Sequence, residues 1–318
     1  MMKKYRWGMI GLGDIATQFA AGFSNEASEL YGVSALSLPK VQAFAEKYAI
    51  PHAYESTDAM LEDPQIDIVY IAVPNDLHHE FIMKALMAGK HVLCEKAITT
   101  SADELAEELT LAKEKNLILE EAMTIFNMPV YARLKEEINA GRLGKLKMIQ
   151  APFGSYKDPD PTNRFFNPDL GGGALLDIGT YAVSFARFFM TDTPEVAFSS
   201  MKPFSTGVDE QSVTILQNPA DEMASVTLTF QAKMPKTGIV AFEEGYITVD
   251  EYPRADKAMI HFRDGSNEVI EAGDSNQALN YEIANMIKAI NGDIEGSIHL
   301  TTDVIDVLDQ MQAFWEQQ

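Results

Sequence analysis

Arg6 to Ile10 read as a short buried strand, and directly after it comes Gly11-Leu12-Gly13-Asp14-Ile15-Ala16. Many strand-to-helix turns carry glycines, and this one gains its force from the strand before it and the helix after it. Gly11 permits a tight turn, Gly13 lets the backbone come close to a bound group, and Ala16 lets a helix pack hard against the strand. An amphipathic helix opens at about Asp14, so its first N–H groups face the turn, where an anion such as a pyrophosphate is favoured. Gly11, Gly13, Asp14 and Ile15 are therefore the first candidates for contact with a dinucleotide.

The chain continues the alternation that such a turn requires. Strand-like "LYGVSALSL" leads into a helix with Pro39 near its first position, and the nearly all-apolar "DIVYIAV" reads as a parallel strand buried on both faces. A helix closed by Gly89, the strand "HVLCE", a helix opening on a capping-box pair, Ser101 and Glu104, and the strand "LILEEA" follow. This is the pattern of an α/β, doubly wound parallel sheet, whose ligands bind beyond the carboxyl ends of the strands. Pro74 and Asn75 lie at one such end, and Glu95 and Lys96 at another. The second strand lacks the acidic residue that favours NAD, and offers Ser37 and Lys40, which can hold a 2′-phosphate. The expected cofactor is NADP or NAD, with NADP mildly favoured.

From about Lys145 the period changes. "SVTLTF" puts Val226, Leu228 and Phe230 on one face and Ser225, Thr227 and Thr229 on the other. With a turn at Glu243 to Gly245 and the strand-like runs "KAMIHF" and "NEVIEA", this predicts an α+β half: an open-faced, mostly antiparallel sheet with helices on one face. Two helices, near Gln277 to Asn291 and Thr302 to Glu316, close the chain. The expected division is a dinucleotide-binding domain over 1–121 and a substrate-binding and oligomerisation domain over 122–318.

Composition narrows the partners. Acidic residues outnumber basic ones 47 to 25, a formal charge of −22, which repels nucleic acid and anionic membranes. No apolar run approaches the ~20 residues that span a bilayer. The one cysteine, Cys94, allows no internal disulfide and reads as a small buried residue, so a cytoplasmic protein is expected. His78 and His79 are adjacent and splay apart on a helix, and no cluster has metal spacing, so no metal is expected.

The last motif is "GGGALLDIGTY", Gly171 to Tyr181. It reads as a helix running to Met190, with Asp177 and Tyr181 four apart on one face. Read from the residues alone, this is either a core tyrosine with a capping Asp or a reacting pair. Of the adjacent acids Glu120 and Glu121, one faces each way on a strand, and Glu121 is taken to face a substrate. Arg164, on a long loop, is a second candidate substrate contact.

Together "GLGDIA", "VPNDLHHEFIMKALMAGKHVLCEKA" and "GGGALLDIGTY" resemble the Gfo/Idh/MocA family of oxidoreductases. Glu120 to Met123 and Tyr181 are most similar to its dihydrodiol dehydrogenase and D-xylose dehydrogenase branch. The resemblance implies NAD(P)-dependent hydride transfer at a hydroxyl or carbonyl of a sugar, polyol or cyclic diol. It implies catalytic roles for Lys96 and Tyr181 with Asp177 beside them, a place near the cofactor for Asn75 and His78, and a homodimer or higher oligomer formed through the C-terminal sheet. A free phenol titrates near ~10, and a nearby ammonium favours the phenolate, so Lys96 would tune Tyr181 while Asp177 orients. Ala97 stands where the family has proline, which leaves the backbone that aims Lys96 less constrained. The branch's arginine after the second strand is missing. The other reading kept open is a non-catalytic nucleotide- or sugar-sensing protein on the same fold.

Overall fold

The computed structural model describes residues 4–317. The chain divides into two compact units, Met1–Met123 with Leu279–Ile298, and Thr124–Ala278 with His299–Gln318. The chain passes between the two units three times, after residues 123, 278 and 298.

The first unit runs β1 (Tyr5–Ile10), α1 (Asp14–Gly22), β2 (Ser28–Ser34), α2 (Leu38–Lys47), β3 (His52–Ala53), α3 (Thr57–Leu61), β4 (Ile68–Ile71), α4 (His78–Met87), β5 (His91–Glu95), α5 (Ala102–Lys115) and β6 (Leu119–Ala122). Its six strands are all parallel, in the order β3-β2-β1-β4-β5-β6, with reversal of order on the two sides of β1. This is the doubly wound sheet the alternation predicts. All four residues of β4 are buried, because helices cover both faces of a parallel sheet. Trp7, Phe19 and Tyr70 centre the core, with Phe19 and Tyr70 stacked at 3.8 Å between ring centroids. Cys94 is fully buried.

Two local expectations change. Ser101 is the N-cap of α5 but makes no side-chain cap bond; Thr99 Oγ1 donates instead to Glu104 Oε2 at 2.6 Å. Thr99 Oγ1 also accepts the Ser101 N–H at 3.4 Å, the donor that Glu104 would take in a capping box. The helix near Gln277 to Asn291 also belongs to the first unit. Ile283, Met286 and Ile287 join its core, while Tyr5 donates its hydroxyl to Asn291 Oδ1 at 2.7 Å.

The second unit contains α6 (Thr124–Asn127), α7 (Pro129–Asn139), β7 (Leu146–Gly154), α8 (Thr180–Phe189), β8 (Glu195–Pro203), β9 (Asp209–Gln217), β10 (Met223–Thr229), β11 (Gly238–Phe242), β12 (Gly245–Val249), β13 (Lys257–Phe262) and β14 (Asn267–Glu271). α9 (Ala278–Asn291) is the helix that returns to the first unit, and α10 (Ile298–Glu316) ends the chain. The sheet order is β14-β13-β12-β11-β7-β10-β9-β8, antiparallel throughout except for the β7–β10 pair. Val226, Leu228 and Phe230 are buried as the alternation predicts. The α8 face supplies Phe185 and Phe189 to this core, where Phe185 also packs on Tyr252. No helix among the described residues is long and apolar enough to cross a membrane.

Candidate functional site

The fingerprint turn has one closed glycine and one open one. Gly11 has φ +110°, and a Cβ there would lie 2.2 Å from the Ala72 carbonyl oxygen, so only glycine fits between β1 and β4. Gly13, the N-cap of α1, has nothing within 4 Å of where its Cβ would be. No side chain caps α1. Open backbone at a helix N-terminus, beside the exposed Asp14 and half-buried Ile15, suits the pyrophosphate of a dinucleotide.

Ser37 is the N-cap of α2 and makes no side-chain cap bond, so its hydroxyl is not spent on the helix. Lys40 is exposed and makes no ion pair among the described residues. Both remain available at the end of β2.

The loops after β4 and β5 are tied together by one buried ring. Beyond the exposed Pro74, Asn75 opens a single 3-10 turn that leads into α4 at His78. His78 is fully buried, with Nδ1 2.8 Å from the Ala97 carbonyl oxygen and Nε2 3.0 Å from that of Val73. Burial pushes its pKa down, and the carbonyls oppose that shift. From the other side, Glu121 Oε1 accepts the Ile98 N–H at 3.0 Å. The backbone on either side of Ala97 is thus held by two buried side chains. The slack expected from the missing proline is taken up by tertiary hydrogen bonds. The Lys96–Ala97 peptide is cis. Lys96 itself is half-buried at the end of β5.

The acids of this region are turned inward. Glu121 is 1% exposed and bonded to Ile98, so it braces the Lys96 segment. Both faces of β6 are buried, so the two-face argument could not select an exposed carboxylate. Its neighbour Glu120 accepts from the Ser297 N–H and hydroxyl, both at 3.0 Å, and burial pushes its pKa up to about 7. Glu95 is also turned inward, accepting the Tyr70 hydroxyl at 2.5 Å. Among the described residues no group of three or more His, Cys, Asp or Glu is placed to hold a metal ion.

In the second unit, the segment from Gly171 departs from a plain helix. Leu175–Gly179 forms a π turn, and Thr180 donates its N–H to the Leu175 carbonyl five residues back. Only from Thr180 does α8 run regularly. Asp177 lies within the π turn and Tyr181 in the first turn of α8. The Tyr181 ring is half-buried, 6.2 Å from that of Phe153. Arg164, with its side chain 65% exposed, forms an ion pair with Asp177 at 3.5 Å and lies 4.1 Å from the Phe165 ring centroid. The loop and the helix therefore bring together a guanidinium and a carboxylate one turn before a phenol.

Sequence comparison gives this arrangement a family. A family model described as "Oxidoreductase family, NAD-binding Rossmann fold" matches residues 5–123, and one for the GFO/IDH/MocA C-terminal domain matches residues 131–248. The chain belongs to the Gfo/Idh/MocA family. It is an NAD(P)-binding oxidoreductase of that family. Similar relatives include the trans-1,2-dihydrobenzene-1,2-diol dehydrogenase of Xenopus tropicalis, 32% identical over 77% of this chain and 74% of the relative. The Homo sapiens protein of the same name is 32% identical over 76% of this chain and 73% of its own length. Two solved structures share the Gfo/Idh/MocA fold. A levoglucosan dehydrogenase in complex with NADH and levoglucosan has a TM-score of 0.87 at 20% identity, covering 99% of this chain and 98% of its own. A 3-ketoreductase from Actinomadura kijaniata in complex with NADP and TDP-benzene has a TM-score of 0.85 at 22% identity, covering 98% of each.

Proposed function

We propose that this oxidoreductase interconverts a hydroxyl and a carbonyl on a sugar, polyol or cyclic diol. The observation that carries the reading is the 32% identity to diol dehydrogenases across three quarters of the chain. The Arg164–Asp177 pair supports it, since a guanidinium and a carboxylate offer donors and acceptors to a ligand with several hydroxyls.

In this reading Gly11, Gly13, Asp14 and Ile15 hold the pyrophosphate, and Pro74, Asn75 and Glu95 belong to the loops that shape the nicotinamide end. Bound NAD(P) supplies the hydride acceptor or donor. Tyr181 moves the proton at the substrate oxygen, and Lys96 is the second reacting group. Asp177 orients a second substrate hydroxyl. His78 and Glu121 hold the backbone that carries Lys96. Ser37 and Lys40 favour NADP over NAD.

The reading extends to a cytoplasmic homodimer joined through the C-terminal sheet. Met148, Phe198, Val213, Met223, Tyr246 and Val269 are each 41–52% exposed on the strands of that sheet. Met148 and Met223 lie opposite each other in the β7–β10 register. An apolar set of this kind marks an association surface.

Purified protein incubated with NAD or NADP and a panel of aldoses, polyols and cyclic diols tests the proposal. Cofactor turnover on at least one class is expected, with tighter binding of NADP. A protein that binds cofactor but turns over none of them would favour the sensing role, for which Lys96 and Tyr181 need not be kept.

A further inference from the structure

Asp209 stands 32 residues beyond Asp177, at the first position of β9, and is only 9% exposed. Its Oδ2 accepts the Leu175 N–H at 2.7 Å, and the backbone N–H groups of Ala174 and Asp209 itself also hydrogen-bond to the carboxyl. The chain makes room for it in a particular way. Gly173 has φ +122°, and a Cβ there would lie 2.2 Å from Asp209 Oδ1. Gly172 in turn packs on the backbone of the loop carrying Arg164, where a Cβ would lie 3.0 Å from the Arg164 carbonyl oxygen. Two of the three glycines in the motif therefore serve close approach, one to the carboxylate and one to the substrate-contact loop.

Leu175 is the residue on which the π turn hangs. Its N–H is held by Asp209, and its carbonyl accepts from Thr180 five residues on, where a regular α-helix would use Gly179. A π turn inserts one residue into the helical repeat, and one residue corresponds to ~100° of rotation about the axis. Whether Leu175 stays in place thus decides how residues before the turn face relative to Tyr181 after it. A carboxyl accepting from buried N–H groups at a helix start is also among the stronger hydrogen-bond arrangements, which suits it to fixing that register.

We infer that Asp209 is a positioning residue for the reaction: its carboxylate pins Leu175 and so keeps the π turn that presents Asp177 and Tyr181 together. The inference rests on the reading that Tyr181 transfers the proton. Asp209→Ala leaves the Leu175 N–H without its acceptor. At a temperature where the variant is fully folded, kcat is expected to fall about 10–100-fold, as for a displacement of a reacting group by about 1 Å. Cofactor affinity should stay within twofold, since the dinucleotide turn lies in the other unit. Amide hydrogen exchange at Leu175 and Thr180 should accelerate in parallel. If Asp209→Ala does not fold, the isosteric Asp209→Asn carries the same measurement with a smaller expected loss. Wild-type kcat in a variant whose Leu175 amide exchanges faster would overturn the inference, leaving Asp209 a structural cap. Unchanged exchange at Leu175 would overturn it as well. Tyr181→Phe run beside it separates the two ideas, because full kcat in that variant removes the tyrosine reading whatever Asp209 does.

Discussion

The two glycine-rich turns of this molecule look alike in sequence and differ in what fills them. At Gly11–Gly13, Gly11 is pressed against the Ala72 backbone, but Gly13 opens onto free space at the start of α1. At Gly171–Gly173, Gly173 opens onto Asp209, which already occupies the helix start with a carboxylate from β9. One turn leaves the backbone of its helix start open, and the other fills that place with a carboxyl from its own chain. A run of glycines before a helix therefore states only that something approaches the backbone closely. Which thing approaches is decided by the partner, and in the second turn that partner lies 36 residues downstream of the glycine.

The proposed reacting groups divide between the same two units, and their removal gives the largest expected effects. Lys96→Met should abolish measurable turnover while leaving cofactor affinity nearly unchanged, because the phosphates are proposed to sit at the Gly13 turn. Turnover close to wild type would show that the Lys96 segment is no longer used for chemistry. Tyr181→Phe keeps the ring packed on Phe153 and removes one hydroxyl. Its kcat should fall by about 10²–10⁴, the usual range for losing a general acid–base group. Should Asp177→Asn be dead and Tyr181→Phe active, the carboxylate becomes the base.

A valine at each turn breaks or sharpens the contrast itself. Gly13→Val places a side chain in the open space and should weaken cofactor binding about tenfold or more, with little change in thermal midpoint. Gly173→Val meets the Asp209 carboxylate and requires a φ that L-residues rarely adopt, so it should cost about 2–4 kcal/mol of stability. Calorimetric titration and thermal unfolding of both variants read the two effects. An equal loss of stability in both would mean that Gly13 is as closed as Gly173.

Much of the first unit was legible in the sequence because its signals are local. The fingerprint, the buried β4, the helix closed by Gly89 and the splaying of His78 from His79 all follow from neighbours within a few residues. The two-residue β3 has no periodicity to read, and α9 gives no local sign that it returns to the first unit's core. In the second unit β10 and the β11–β12 turn were legible from alternation, whereas the parallel β7–β10 pairing was not, since pairing is a tertiary choice. The candidate site was legible as residue types and not as contacts. Lys96, Asp177, Tyr181 and Arg164 stand out by motif. Asp209 does not, and the inward turn of Glu121 depends on Ile98, 23 residues earlier.

Cofactor choice is a smaller effect and probes the rim of the open turn. If Lys40 meets a 2′-phosphate, Lys40→Ala should weaken NADP about tenfold and leave NAD unchanged, as for a charge-assisted hydrogen bond of about 1.5 kcal/mol. An equal loss for both would make Lys40 a general attractor in an acidic protein. Tighter binding of NAD by the wild type would reverse the preference outright.

The smallest expected effect asks whether a buried carboxyl must have a partner set like that of Asp209. Glu108 on α5 is fully buried; its Oε1 is 2.9 Å from His79 Nδ1, and its Oε2 has no hydrogen-bond partner among the described residues. Burial, with Glu104 and Glu107 adding to it, pushes its pKa up to about 9, whereas the three backbone donors around Asp209 limit that group to about 7. A raised carboxyl pKa has a definite sign. Between the ordinary value of 4.5 and about 9 the folded chain keeps a proton that the unfolded chain releases. Stability from this group is therefore greatest at low pH and declines as pH rises, until the folded form also ionises near 9. Glu108→Gln keeps the shape and removes the titration. It should match the wild type near pH 5 and exceed it increasingly as the pH rises to 9, read from urea midpoints at both values. Parallel pH profiles for the two proteins would show that Glu108 finds a partner or water when ionised. The contrast between a carboxyl held by three backbone donors and one bonded through a single oxygen would then disappear.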